Sequence, residues 1–189
     1  MIISQTPVVC FLQLRKISTI RRYITTEACE TLIHALITSR LDYASSLLYG
    51  LPKPQIRRLQ VVQNMAARVV KRVRKYDHIT PVMYDLHWLP ISQRIYFKIL
   101  IVTFNIIHGL APKYLEELVQ LRTHSRCLRS MGNHYILCTP RFNTKSYGYR
   151  RFSVAAPTLW NKLPNHMRGI TNYSSFKQKL KTYLFSTAY

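Results

Sequence analysis

Beyond Glu117 the chain carries no Asp or Glu, yet twelve Lys and Arg fall in those last 72 residues. Over the whole sequence 28 basic side chains face seven acidic ones, a formal charge of +21 and a pI near 10.3. Such a surface repels itself and lowers the stability of a compact state unless a polyanion neutralises it. Nucleic acid is the commonest such partner, because each neutralised phosphate also releases a condensed counterion. An anionic membrane surface is the runner-up. The 189 residues are 48% apolar, a globular composition that suits one domain or two small ones. The charge therefore sits on a folded body rather than on a tail.

The four cysteines, Cys10, Cys29, Cys127 and Cys138, form no C-x-x-C pair and are too sparse for a disulfide scaffold, which points to a reducing compartment. His124, Cys127, His134 and Cys138 are close enough in sequence to be weighed as zinc ligands, but their spacing matches no standard knuckle, so neither metal nor cofactor is expected. The most apolar run, 95–107, is interrupted by Lys98 and Asn105 and reads as a buried helix rather than a bilayer span. The mildly apolar start lacks a basic segment before it, which argues against a signal peptide, and residues 1–22 read as an ordinary basic helix. An intracellular protein, nuclear or cytoplasmic, is expected.

Helical periodicity fills most of the first 120 residues. Thr26 is placed to cap a helix with Glu27 and Glu30 in its first turn, where carboxylates complement the helix dipole. Gly50, Pro52 and Pro54 end it and open the next. From Ile56 to Val73 the apolar positions Ile56, Leu59, Val62, Ala66, Val69, Val70 and Val73 form one stripe. At 100° per residue, Arg57, Arg68, Lys71, Arg72 and Lys75 fall within about 100° of arc opposite it. One face packs and the other is a basic rail with no acid between Asp42 and Asp77. Pro81 and Pro90 open two further helices, the second a core helix to His108 closed by Gly109; Pro112 opens a short one carrying the last acids. Residues 122–150 are polar, basic and aromatic, with turn signals and one candidate strand, Tyr135–Thr139. Ser174 or Ser175 caps a last helix that turns Phe176, Leu180, Tyr183 and Leu184 inward.

Catalytic constellations are missing. Asp42, Asp77 and Asp85 are isolated, whereas two-metal phosphoryl transfer needs clustered carboxylates. No phosphate-binding Gly-rich loop, zinc-protease helix or nucleophile elbow occurs. His87, among the large neighbours of Leu86-His87-Trp88-Leu89-Pro90, reads as a structural plug. Tyr147, Tyr149 and Phe152 interleave with Lys145, Arg150 and Arg151, the mixture of rings and cations that grips single-stranded nucleic acid. The same rings could instead form the core of a small C-terminal unit.

Several strings, in order, carry a resemblance: Ser39-Arg40-Leu41-Asp42-Tyr43 leading into Leu47-Leu48-Tyr49-Gly50-Leu51-Pro52, then Arg58-Leu59-Gln60-Val61-Val62-Gln63-Asn64 with Ala66-Ala67-Arg68, and His78-Ile79-Thr80-Pro81. Leu86-His87-Trp88-Leu89-Pro90, Phe97-Lys98-Ile99-Leu100 and His108-Gly109-Leu110-Ala111-Pro112-Lys113-Tyr114-Leu115 follow. Phe152-Ser153-Val154-Ala155-Ala156-Pro157, Leu159-Trp160-Asn161 and Leu163-Pro164 close the series. Together they resemble the C-terminal portion of LINE-type (non-LTR, jockey-like) retrotransposon reverse transcriptases over about residues 11–185. The resemblance implies a helical thumb and a basic extension that touch template RNA and primer DNA. The family's catalytic Asp-Asp motif has no counterpart here, so RNA-directed DNA synthesis does not transfer to this chain.

The expected fold is mainly α: an unmatched segment 1–10, a helical thumb-like bundle over 11–120, a basic aromatic linker or hairpin region over 121–150, and a basic α or α+β unit over 151–189. The expected function is binding of RNA or an RNA–DNA hybrid, without enzymatic activity and without a membrane. Arg57, Arg68, Lys71, Arg72 and Lys75 are the phosphate contacts; Tyr147, Tyr149, Arg150 and Arg151 are secondary. A module docking on a separate polymerase protein, a membrane-surface protein and a non-functional transposon relic are the alternatives. Nothing in the sequence fixes the oligomeric state.

Overall fold

A computed structural model describes residues 2–122, 135–142, 144 and 147–189, with side chains from residue 6 onward. The described residues are mainly helical, as expected, and contain no strand. The helices are α1 (Ile2–Ile20), α2 (Thr26–Ile33), α3 (Ser39–Asp42), α4 (Lys53–Lys71), α5 (Ile79–Asp85), α6 (Ile91–Ile107), α7 (Lys113–Glu116), α8 (Phe152–Trp160), α9 (Asn165–Arg168) and α10 (Tyr173–Ala188). A π turn (His34–Thr38) joins α2 to α3, and a 3-10 turn (Ser45–Leu48) follows α3. The chain forms two compact units, Met1–Arg94 with Thr187–Tyr189, and Ile95–Ser186. The division lies inside α6, whereas the sequence placed boundaries near residues 10, 120 and 150.

In the first unit, α1 and α2 pack against α4, and α4 against α5. The core is built from Cys10, Leu14 and Ile17 of α1, from Cys29, Ile33, Ile37 and Leu41, and from Leu59, Val62, Ala66 and Val70 of α4. Cys29, Ile33, Ile37 and Leu41 recur every fourth residue. In a regular α-helix each such step overshoots a full turn by about 40°, so the three steps would drift about 120° off one face. The wider turn at His34–Thr38 absorbs the excess and keeps all four buried. The N-cap of α2 is Thr25 rather than Thr26: its side chain accepts from the Ala28 amide at 3.2 Å.

Glutamines on α4 organise the chain that leads into α6. Buried Gln63 donates to the Leu89 carbonyl at 2.9 Å, and Gln60 accepts from the Ile91 amide at 2.9 Å while donating to Gln63 and Asn64. Asp42 accepts two hydrogen bonds from Arg94, at 2.9 and 2.6 Å. These bonds involve residues of three of the strings singled out above, and all are structural. His87 is not a plug. It is exposed and takes a left-handed conformation (φ 53°) after α5, where its amide bonds Tyr84 and the Trp88 amide bonds Met83. Trp88 and Leu89 are the residues that fill the interior.

The second unit closes on stacked rings. Phe104 and Phe176 lie 4.4 Å apart at 18°, and Trp160 is 5.6 Å from Phe176. Leu159-Trp160-Asn161 holds the segment around Leu137. Asn161 exchanges two hydrogen bonds with the Leu137 backbone, and the Trp160 ring donates to the Tyr135 carbonyl at 2.7 Å. The expected strand reduces to one antiparallel bridge, Leu121 to Leu137. On α10, Asn172 rather than a serine is the cap, accepting from the Ser175 amide.

His108 sits at the rim of this ring cluster, 4.2 Å from Phe104 and 5.5 Å from Tyr135. Burial lowers its pKa, against a smaller opposing effect of a hydrogen bond to the Ile170 backbone. The unfolded chain therefore binds this proton more readily than the folded one, and stability falls as pH drops below the ordinary histidine value toward the lowered one. Thermal unfolding of a Trp88→Phe variant, in which Trp160 reports the second unit, is expected to show that acid sensitivity between pH 7 and 5. Adding His108→Gln flattens it; an unchanged profile excludes this origin.

Candidate nucleic-acid interface

Arg57, Arg68 and Lys71 lie on α4 opposite the buried positions Leu59, Val62, Ala66 and Val70, within about 60° of one another at 100° per residue. From Arg57 to Lys71 is about 21 Å along the axis at 1.5 Å per residue. The rail does not continue as one helical face. The helix ends at Lys71, and Arg72 turns left-handed (φ 54°) as its C-cap residue. Lys75 lies in the following turn, its ammonium 5.7 Å from the exposed Tyr76 ring. Arg72 and Lys75 thus take positions set by the turn rather than by the helical wheel. The cause is local: Arg68 reaches over the turn, donating to the carbonyls of Arg74 at 3.2 Å and Asp77 at 2.7 Å, while the Asp77 carboxylate caps the Arg74 amide.

The cations differ in how far they are compensated. Arg57 is exposed. Arg68 and Arg72 bond to neutral carbonyls, so their charge is not neutralised. Lys71 pairs with Asp85 at 2.7 Å. That bond holds the Asp85 carboxyl below its usual range. An exposed pair of this kind contributes little to stability, and a phosphate can compete for the lysine.

In the second unit, Tyr147 and Arg151 are exposed while Tyr149 and Arg150 are half-buried. The Tyr149 ring packs 6.1 Å from Phe142, so only Tyr147, at 76% exposure, presents an open ring. Lys145 lies outside the described residues, as do His124, Cys127 and His134 of the zinc candidates; Cys138 is exposed. Gly148 shapes the turn that carries these residues. Its amide bonds the Thr144 carbonyl and hydroxyl, and an added Cβ would stand 2.7 Å from that carbonyl oxygen. Gly148→Ala is expected to destabilise the second unit by about 1–3 kcal/mol, as overpacking against backbone does. Urea unfolding followed through Trp160 measures it, and a loss below about 0.5 kcal/mol would show the turn yielding freely.

One residue with no local sequence signal proves central. Arg21, at 7% exposure, donates to the carbonyls of Val69, Val70 and Ile24 and to the Thr26 hydroxyl, and its own carbonyl accepts from Arg72. It caps the C-terminus of α4, where a cation complements the dipole. Its partners on α4 lie 48 and 49 residues away, beyond the reach of any periodicity. Burial pushes the neighbouring Cys29 thiol up, with Arg21 and Arg72 pulling the other way. Among the described residues no helix is long and apolar enough to cross a membrane. No protein-family model, curated protein or solved structure matches this chain.

Proposed function

We propose that this chain binds RNA or an RNA–DNA hybrid through the phosphate backbone, in the manner of the thumb and C-terminal region of a LINE-type reverse transcriptase. The observation that carries the reading is Arg57, Arg68 and Lys71 on one solvent face of α4, with Arg72 and Lys75 in the turn that follows it, on a chain of net charge +21. Phosphate neutralisation needs cations and no base-reading geometry, so the binding is non-sequence-specific. The open ring of Tyr147 adds a stacking contact.

The test is a titration of the purified chain against fluorescent RNA, RNA–DNA hybrid and single-stranded DNA of unrelated sequences, with anionic phospholipid vesicles in parallel. Affinity for nucleic acid that varies little with sequence supports the reading. Binding to vesicles alone, or co-purification with a polymerase that resists nuclease, would replace it.

A further inference from the structure

Beside the end of α4 is an open depression of about 370 Å³, lined by Arg21, Ile24, Thr25, Thr26, Val70, Lys71 and Arg72. That volume falls in the range of small-ligand sites, roughly 300–1,000 Å³. Its lining holds three cationic side chains and no carboxylate. Lys71 has a counter-charge in Asp85, but among the described residues Arg21 and Arg72 have none: their hydrogen bonds there go to neutral carbonyls and a hydroxyl. A buried ion without a counter-ion is unfavourable. The carboxyl end of α4 offsets roughly half a charge. Two guanidinium charges therefore face that partial compensation beside an open cavity, and Arg21 is more than nine-tenths buried.

We infer that this depression is an anion site that takes a single phosphate group, held by Arg72 and Lys71 and by the field of buried Arg21. The inference deepens the nucleic-acid reading by naming where one phosphate of the strand is anchored. Arg72 supplies the adjustable contact. One of its guanidinium nitrogens binds the Arg21 carbonyl, and a guanidinium carries five N–H donors in a planar fork suited to phosphate. Arg21 is the fixed charge, with four of its donors already committed. Thr25 and Thr26 line the wall at the start of α2, whose dipole is positive there.

The position of Arg72 gives a clean variant. Its left-handed backbone suits glycine, so Arg72→Gly removes the guanidinium without straining the chain. Inorganic phosphate, titrated into the full chain at constant ionic strength against chloride, raises the melting temperature saturably, and Arg72→Gly weakens that affinity at least about tenfold. Lys71→Gln weakens it less and serves as the second variant should Arg72→Gly not fold. Lys179→Gln, an exposed cation of α10, leaves it unchanged. Equal phosphate affinity in wild type and Arg72→Gly overturns the site, as does no phosphate effect in wild type. If RNA binding survives in either case, only the pocket fails. If phosphate binds and RNA does not, the nucleic-acid reading fails and the pocket stands as a site for free phosphate. Oligonucleotides with and without a 5′-phosphate separate the sources. A loss in Arg72→Gly confined to the phosphorylated strand marks a terminal phosphate, and an equal loss on both marks a backbone phosphate.

Discussion

A fourfold rise in monovalent salt is expected to weaken the binding of single-stranded RNA about fiftyfold, a log–log slope near −2.8 for four neutralised phosphates. Five cations read from the helical wheel would give about −3.5. The structure discounts one, because the gain when Lys71 meets a phosphate is offset by the loss of its Asp85 partner, 2.7 Å away. Arg57, Arg68, Arg72 and Lys75 remain. Asp85→Asn frees the lysine and steepens the slope by about 0.7. It also tightens binding at low salt, where an unscreened cation counts most. Asp85 is exposed, so the substitution costs little of the fold. Replacing Arg57 and Lys75 with Gln together should make the slope shallower by about 1.4. Fluorescence anisotropy across 50–400 mM salt reads all three. A slope near zero in the wild type would end the backbone-binding proposal, and an Asp85→Asn slope equal to the wild type would show that Lys71 takes no part.

What the sequence could disclose depended on the range of each interaction. Periodicity located α4 and its buried stripe because Leu59, Val62, Ala66 and Val70 are tied to one another by helical geometry alone. Gly109 was legible as the residue after α6 because a left-handed position (φ 66°) favours glycine. At the end of α4 the same logic was silent. Arg72 and His87 occupy left-handed positions without being glycine, so the helix was read through to Val73 and His87 was placed inside. Nothing local marks Gln63 as buried, because its partner, the Leu89 carbonyl, lies 26 residues on. The four-residue spacing of Cys29, Ile33, Ile37 and Leu41 was visible in the sequence, and its excess over 3.6 is the one signal that could have located the π turn. The basic face was legible as charge and spacing. Which of its members stay uncompensated was not, because Asp85 meets Lys71 only through the packing of α5 on α4.

Arg21 is where that long-range information is most concentrated, and Arg21→Met is expected to cost the first unit about 3–5 kcal/mol, because several acceptors it satisfies are left without a donor. Methionine fills much of the volume, so the loss reads hydrogen bonding rather than a cavity. Three backbone carbonyls, of Ile24, Val69 and Val70, lose their donor, and each orphaned buried acceptor costs about 1–3 kcal/mol. The carbonyls of Val69 and Val70 suffer most, because no further helical turn follows to take them. Removing a charge that lacks a counter-ion returns part of the loss, which keeps the total below the sum. Arg21→Lys should recover less than half, since a single ammonium cannot span acceptors on α4, on Ile24 and on Thr26 at once. The measurement is urea unfolding of a Trp160→Phe background, in which Trp88 reports the first unit, with the midpoint shifting at constant m. A loss under about 1 kcal/mol, or full rescue by lysine, would show that water replaces the guanidinium at the end of α4.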